Sequence, residues 1–190
     1  MMTGQEVTQE NFEALIEDAE YLQDEAEALK YVIDVVPFSE VPQDGMSIYQ
    51  KLCLIDHAQS EYFRPIIEKV FKNPRMLVLS GFDDYRETFE TPDPEDSDVQ
   101  KILNKIIKHR AGLINVFSKI PLIDWERGIK DKNENVISLF DFANRMVKQE
   151  RAVLKEIADL VLIYQNHKQQ NRQINLRTEE RDNRDNKEDN

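Results

Sequence analysis

Leu139, Ala143, Met146, Val153, Ile157, Leu160 and Tyr164 lie along the chain in steps of four and three, with one gap between Met146 and Val153. That spacing sets apolar side chains on one stripe of an α-helix, and a stripe this long has to be buried against other helices. Glu150 fills the gap in the stripe. A carboxylate on a helix seam faces the core, where it needs a partner, a proton or a cavity. The chain must therefore fold as packed helices around at least one internal polar contact.

Three further segments carry the same pattern. Phe12, Leu15, Ala19, Leu22, Ala26, Leu29, Ile33 and Val36 stripe a first helix from about Gln9 to Val36. Thr8 is its cap, with Val7 and Phe12 in staple positions. Pro37, Pro42 and Gly45 break the chain, and Ser47 with Gln50 makes a capping box for a second helix reaching about Phe71. Pro65 should kink that helix, because it removes a backbone donor and crowds the preceding turn. From Lys72 to Asp96, Pro74, Gly81, Pro92 and Pro94 mark a long connection of the kind that crosses the end of a bundle. Ser97 with Gln100 opens a third helix to about Lys119, striped by Val99, Ile102, Ile106, Leu113, Val116 and Ile120. Ser138 with Asp141 caps the fourth, which runs to about His167. With five glycines and no long strand-like alternation, the fold class is all-α, a four-helix bundle over residues 1–170. The polar, low-complexity stretch 171–190 reads as a charged, disordered tail.

The formal net charge of −12 argues against a nucleic-acid backbone or an anionic membrane as a direct partner. No apolar run is long enough to span a bilayer, and none has the flanks of a signal peptide. The single cysteine, Cys53, cannot form an internal disulfide, which fits a reducing cytoplasm. The acidic run from Asp83 to Asp98 lacks the glycine and closing glutamate of a calcium loop, so its last acids are read as partners of a helix dipole.

With three histidines and one cysteine, metal and nucleophile chemistry has few sources. No His-Glu-x-x-His occurs, and the residues three before His57, His109 and His167 are Leu54, Ile106 and Tyr164, which removes the Glu-x-x-His di-iron pattern. Cys53 and His57 are neighbours on the second helix, but they lie at and beyond the edge of a seam through Ile48, Leu52, Ile55, Gln59 and Phe63, and read as an inert pair. His109 continues the third stripe at about the level of Glu150, and Gln59 stands at mid-height on the second helix. An imidazole facing a carboxylate would satisfy both groups. Gln59, His109, Gln149 and Glu150 are therefore the candidate ligand-binding residues.

Ser47-Ile48-Tyr49-Gln50-Lys51-Leu52-Cys53-Leu54-Ile55 and Gln149-Glu150-Arg151-Ala152-Val153-Leu154-Lys155-Glu156-Ile157 resemble two motifs of the DinB-like superfamily, which holds damage-inducible proteins and thiol-dependent transferases. The first opens the second helix of that bundle, the second lies on its fourth helix, and Asp124-Trp125 before the fourth helix also fits. The resemblance implies a DinB-like bundle with a long connection between helices 2 and 3. In the family, three histidines from the two motifs hold nickel or zinc. Here those positions fall on Leu54, Gln149 and Val153, none of which binds a divalent ion as imidazole does. The expectation is a metal-free module that binds a small-molecule ligand or another protein, with no cofactor. The alternative is a metal-dependent transferase of thiol adducts, taking nickel or zinc on His57, His109 and Glu150. A homodimer paired through exposed helix faces is a further expectation.

Overall fold

The structure, a computed structural model, describes residues 7–43, 45–73, 78–81, 84–93 and 98–188, with side chains described as far as residue 175. Its helices are α1 (Gln9–Leu29), α2 (Ile48–His57), α3 (Arg64–Lys72), α4 (Val99–Phe117) and α5 (Leu139–Glu188). A π-helical turn, Ala58–Phe63, joins α2 to α3, so these three pieces form one rod and the bundle has four. α1 packs against α4 and α5, and α2 packs against the same two. The first and second rods, and likewise the third and fourth, thus stand diagonally, so the connections between them cross the bundle ends.

The caps follow from local chemistry. Thr8 Oγ1 accepts from the Asn11 amide at 3.2 Å, and Ser47 and Gln50 form the reciprocal capping box. Ser138 Oγ accepts from the Asp141 amide at 2.9 Å. The cap of α4 differs from the sequence reading. Ser97 lies outside the described residues, and Asp98 caps the helix by accepting from the Lys101 amide at 2.9 Å. α1 stops at Leu29, and a single 3-10 turn, Ile33–Val35, carries the stripe on to Val36. α5 remains helical to Glu188, past His167 and through the stretch read as a disordered tail, because no glycine or proline interrupts it. Residues 166–175 are exposed along that extension.

Two short strands are absent from the sequence reading. Gly128–Lys130 (β1) and Val136–Ser138 (β2) pair antiparallel, Ile129 opposite Ile137. Three-residue strands are too short for alternation to announce them. Asp131 closes the hairpin by accepting from the Asn133 and Asn135 amides at 2.9 and 2.8 Å, and Glu134 takes φ 66°. Gly128 is required by close approach, since a Cβ there would meet Val136 Cγ1 at 2.9 Å. The long connection docks onto this hairpin: the Lys130 amide donates to Leu79 O at 2.7 Å. No helix among the described residues is long and apolar enough to cross a membrane.

Trp125 anchors the hairpin end of the core. It is wholly buried, with ring centroids of Phe12, Phe117 and Phe140 at 5.5, 5.2 and 6.3 Å. Two residues on, Arg127 Nη1 donates to Val70 O at 2.7 Å, capping the end of α3, and pairs with Asp124 at 2.8 Å. Removing the indole leaves a cavity among three rings from three elements. Trp125→Ala is expected to lower unfolding free energy by about 3–5 kcal/mol. Urea denaturation checks this, and a loss below about 1 kcal/mol would show that the ring is not packed as described.

Candidate functional site

The polar layer is built by the α2–α3 rod, α4 and α5. Pro65 has no amide to donate, and the chain widens into the π-turn before it, where the Arg64 amide reaches back to Gln59 O. The expected distortion at Pro65 is therefore an extra residue in the turn. This turn seats Gln59 and Phe63 in the core. Gln59 Nε2 donates to both carboxylate oxygens of Glu150, at 2.9 and 3.0 Å. Gln59 and Glu150 thus occupy the mid-height seam positions that the spacing predicts.

The charged partner of Glu150 is Arg110, not His109. Arg110 is wholly buried on α4, and its Nη2 contacts Glu150 Oε2. Burial pulls the guanidinium down to about 9, still far enough above neutral pH for it to stay a cation. Its carboxylate partner keeps that charge compensated. His109 sits one residue round the helix, near the surface, with Nδ1 3.0 Å from Asp56 Oδ1. The expected His109–Glu150 contact is therefore replaced by two pairs, one inside and one at the rim. Arg110 was missed because arginine is rarely buried. A signal was present nonetheless: Leu103, Arg110 and Phe117 repeat every seven residues and all three are wholly buried.

The alternative metal set does not assemble. His57 Nε2 lies 2.9 Å from Thr88 Oγ1, with its ring 5.5 Å from Phe89. His109 is paired with Asp56, and Glu150 with Arg110 and Gln59. Among the described residues no three His, Cys, Asp or Glu side chains are placed to hold a metal ion. Cys53 is half-buried, and burial pushes its thiol up from 9.0, against a lowering hydrogen bond with Tyr49. Burial thus favours its neutral thiol over the thiolate.

The three positions that the DinB-like resemblance assigns to ligands do converge. Leu54, Gln149 and Val153 line one cavity of about 10 Å³, together with Glu150 and Met146. That space is about the size of one water molecule. Two of its three key side chains are hydrocarbon and the third is an amide, so the donor set does not fit a divalent ion. Gln149 also lines a second space, of about 160 Å³, opening between the π-turn, the long connection, the hairpin and α5. Tyr62, Phe63, Tyr85 and Phe142 form its walls, with Asp84, Asp131, Lys132 and Arg145 around its mouth. The Gln149 amide oxygen is sealed from solvent and has no donor.

No family model matches the sequence, and no curated protein matches it. Among solved structures, YfiT from Bacillus subtilis superposes with a TM-score of 0.68 at 12% sequence identity, over 84% of this chain and 91% of that one. The chain has the fold of YfiT. YfiT is described as a probable metal-dependent hydrolase with an unusual four-helix bundle topology. The likeness bears out the four-helix bundle expected from the sequence. At this identity the likeness to YfiT is one of fold.

The buried pair yields a test of the layer. Arg110→Met leaves Glu150 and Gln59 facing each other without the cation and is expected to cost about 3–5 kcal/mol. The double variant Arg110→Met/Glu150→Leu should regain most of that loss, because no buried charge then remains uncompensated. His109→Ala, by contrast, should cost no more than about 1 kcal/mol, as its partner is at the rim. Denaturant midpoints of the three variants check this. If His109→Ala cost as much as Arg110→Met, the assignment of partners would be wrong.

Proposed function

We propose that this chain is a metal-free member of the bundle class that binds a small molecule in the 160 Å³ pocket above Gln149. The observation that carries the reading is the state of Gln149. It stands where the resemblance expects a metal ligand, it borders both cavities, and its buried oxygen has no donor. A buried acceptor left unpaired costs on the order of 1–3 kcal/mol, which a ligand carrying an N–H or O–H group can recover once the side chain turns that oxygen into the pocket. The aromatic walls and a few convergent polar groups are the usual make-up of such a pocket.

A metal-dependent hydrolase or thiol transferase has no comparable support. Leu54 and Val153 are buried in the cavity wall and cannot coordinate. Glu150, the one strong oxygen donor there, is occupied by a guanidinium and an amide. A cation entering beside Arg110 would meet like charge in a poorly solvated site. The pocket of the favoured reading instead uses neutral and aromatic groups, with its charges at the mouth.

Two measurements test the proposal. Equilibrium dialysis against nickel and zinc should give well under one metal per chain for the wild type, whereas Leu54→His/Gln149→His/Val153→His should bind about one. Tight stoichiometric binding by the wild type would overturn the metal-free reading. A fragment panel followed by thermal denaturation should yield ligands that stabilise the wild type. At about one hundred times Kd the gain is about 2.7 kcal/mol, a rise of several degrees in Tm. Gln149→Leu should lose most of it. A panel with no stabilising ligand for the wild type would count against any pocket at Gln149.

A further inference from the structure

We infer that the ligand taken by this pocket is a monocyclic aromatic carboxylate. The inference rests on the pocket reading above and adds to it the chemical class of the occupant. Size sets the first limit. A cavity of about 150 Å³ accommodates a benzene ring, and this one measures about 160 Å³. A single ring with one or two substituents fills it, and a nucleotide or a tripeptide does not enter.

The walls set the second limit. Tyr62 packs its ring at 5.9 Å from Tyr85 and 6.0 Å from Phe142, so three aromatic side chains from three elements border the same space. Such a lining favours a planar aromatic ring through offset or edge-to-face contacts, each worth about 0.5–1.5 kcal/mol beyond burial.

Charge sets the third. Four charged side chains stand at the mouth, and three of them are already engaged inside the protein. Asp131 accepts from the Asn133 and Asn135 amides and from Asn135 Nδ2 at 3.2 Å. Lys132 is paired with Glu87 across the mouth, and Asp84 accepts from the Arg86 amide at 3.0 Å. Arg145 lies one helical turn before Gln149; it acts on Asp131 through space but makes no hydrogen bond or ion pair among the described residues. The hydrogen-bond donors left open to a ligand are therefore those of Arg145, a planar fork that matches a carboxylate with two parallel hydrogen bonds. A ring acid can place its carboxylate on Arg145 while its ring lies against the aromatic walls.

Isothermal titration with sodium benzoate, 4-hydroxybenzoate, benzamide, cyclohexanecarboxylate and acetate decides the matter. Benzoate and 4-hydroxybenzoate should bind one per chain, and at least tenfold more tightly than benzamide, cyclohexanecarboxylate or acetate. Arg145→Gln should weaken both aromatic acids tenfold or more and leave benzamide unchanged. Lys148→Gln, which removes a charge on the same helix outside the pocket, should leave all five unchanged. If benzamide bound as tightly as benzoate, or if Arg145→Gln had no effect, the carboxylate assignment would fall while the pocket stood. If cyclohexanecarboxylate matched benzoate, the aromatic assignment would fall. If none of the five bound but neutral fragments from the wider panel did, the ligand class would be wrong and the pocket right. Absence of every ligand would remove both.

Discussion

The contact of Arg110 with Glu150 fixes how the bundle is assembled. A wholly buried guanidinium and a buried carboxylate cannot be separated without leaving a charge in a poorly solvated interior, at a cost of several kcal/mol. Gln59 joins them from the π-turn, so three of the four rods meet at one level. Hydrophobic stripes tolerate a small roll of one helix against its neighbours, since one apolar contact replaces another. An ion pair does not. With Arg110 held inward, His109 is turned to the rim beside Asp56, and Leu103 and Phe117 are turned into the core. The pair thus goes with one rotation of α4, Arg110 inward and His109 at the rim.

Much of this architecture can be read from residue spacing. The four stripes, the capping box at Ser47 and the cap at Ser138 are local devices, each encoded within one or two helical turns, and the structure contains them. The length of the connection between α3 and α4 was legible as well, from its prolines. The hairpin was not, because it depends on a tertiary partner: Leu79 supplies an acceptor to Lys130, and Gly128 admits Val136. At the site, Gln59 and Glu150 were placed by their own seams, but the partner was assigned one residue too early. Ile102, Ile106 and Val116 suggest a face centred near His109, whereas the buried set is centred on Ile106, Arg110 and Leu113. Sequence statistics disfavour a buried arginine, so its burial is visible only when the opposing Glu150 is known to need a cation.

The same layer explains why the neighbouring cavity differs in character from a metal centre. A divalent ion held by imidazoles needs donors aimed at one point and a surrounding shell that supports their orientation. Here the strong donor Glu150 is turned to Arg110, and the wall opposite is Leu54 and Val153. Positive charge is already provided by a side chain, so a second cation would be repelled instead of captured. The geometry of convergence is nevertheless retained: Leu54, Gln149 and Val153 come from two rods and line one space. Convergence is a property of the bundle, and what the space binds is a property of the side chains placed there.

Those side chains divide the region into a dry floor and a polar mouth. The floor, next to Leu54 and Val153, has room for about one water, and the open pocket above it is bounded by aromatic rings. Gln149 is the boundary residue, one helical turn from Arg145 and adjacent in sequence to Glu150. Its neighbour Glu150 is held by the ion pair, so the backbone that carries Gln149 is held in place. Preorganisation of this kind lowers the ordering cost of binding. On the proposed reading, the charge layer also stiffens the pocket floor, and loosening Arg110 should weaken ligands that never touch it.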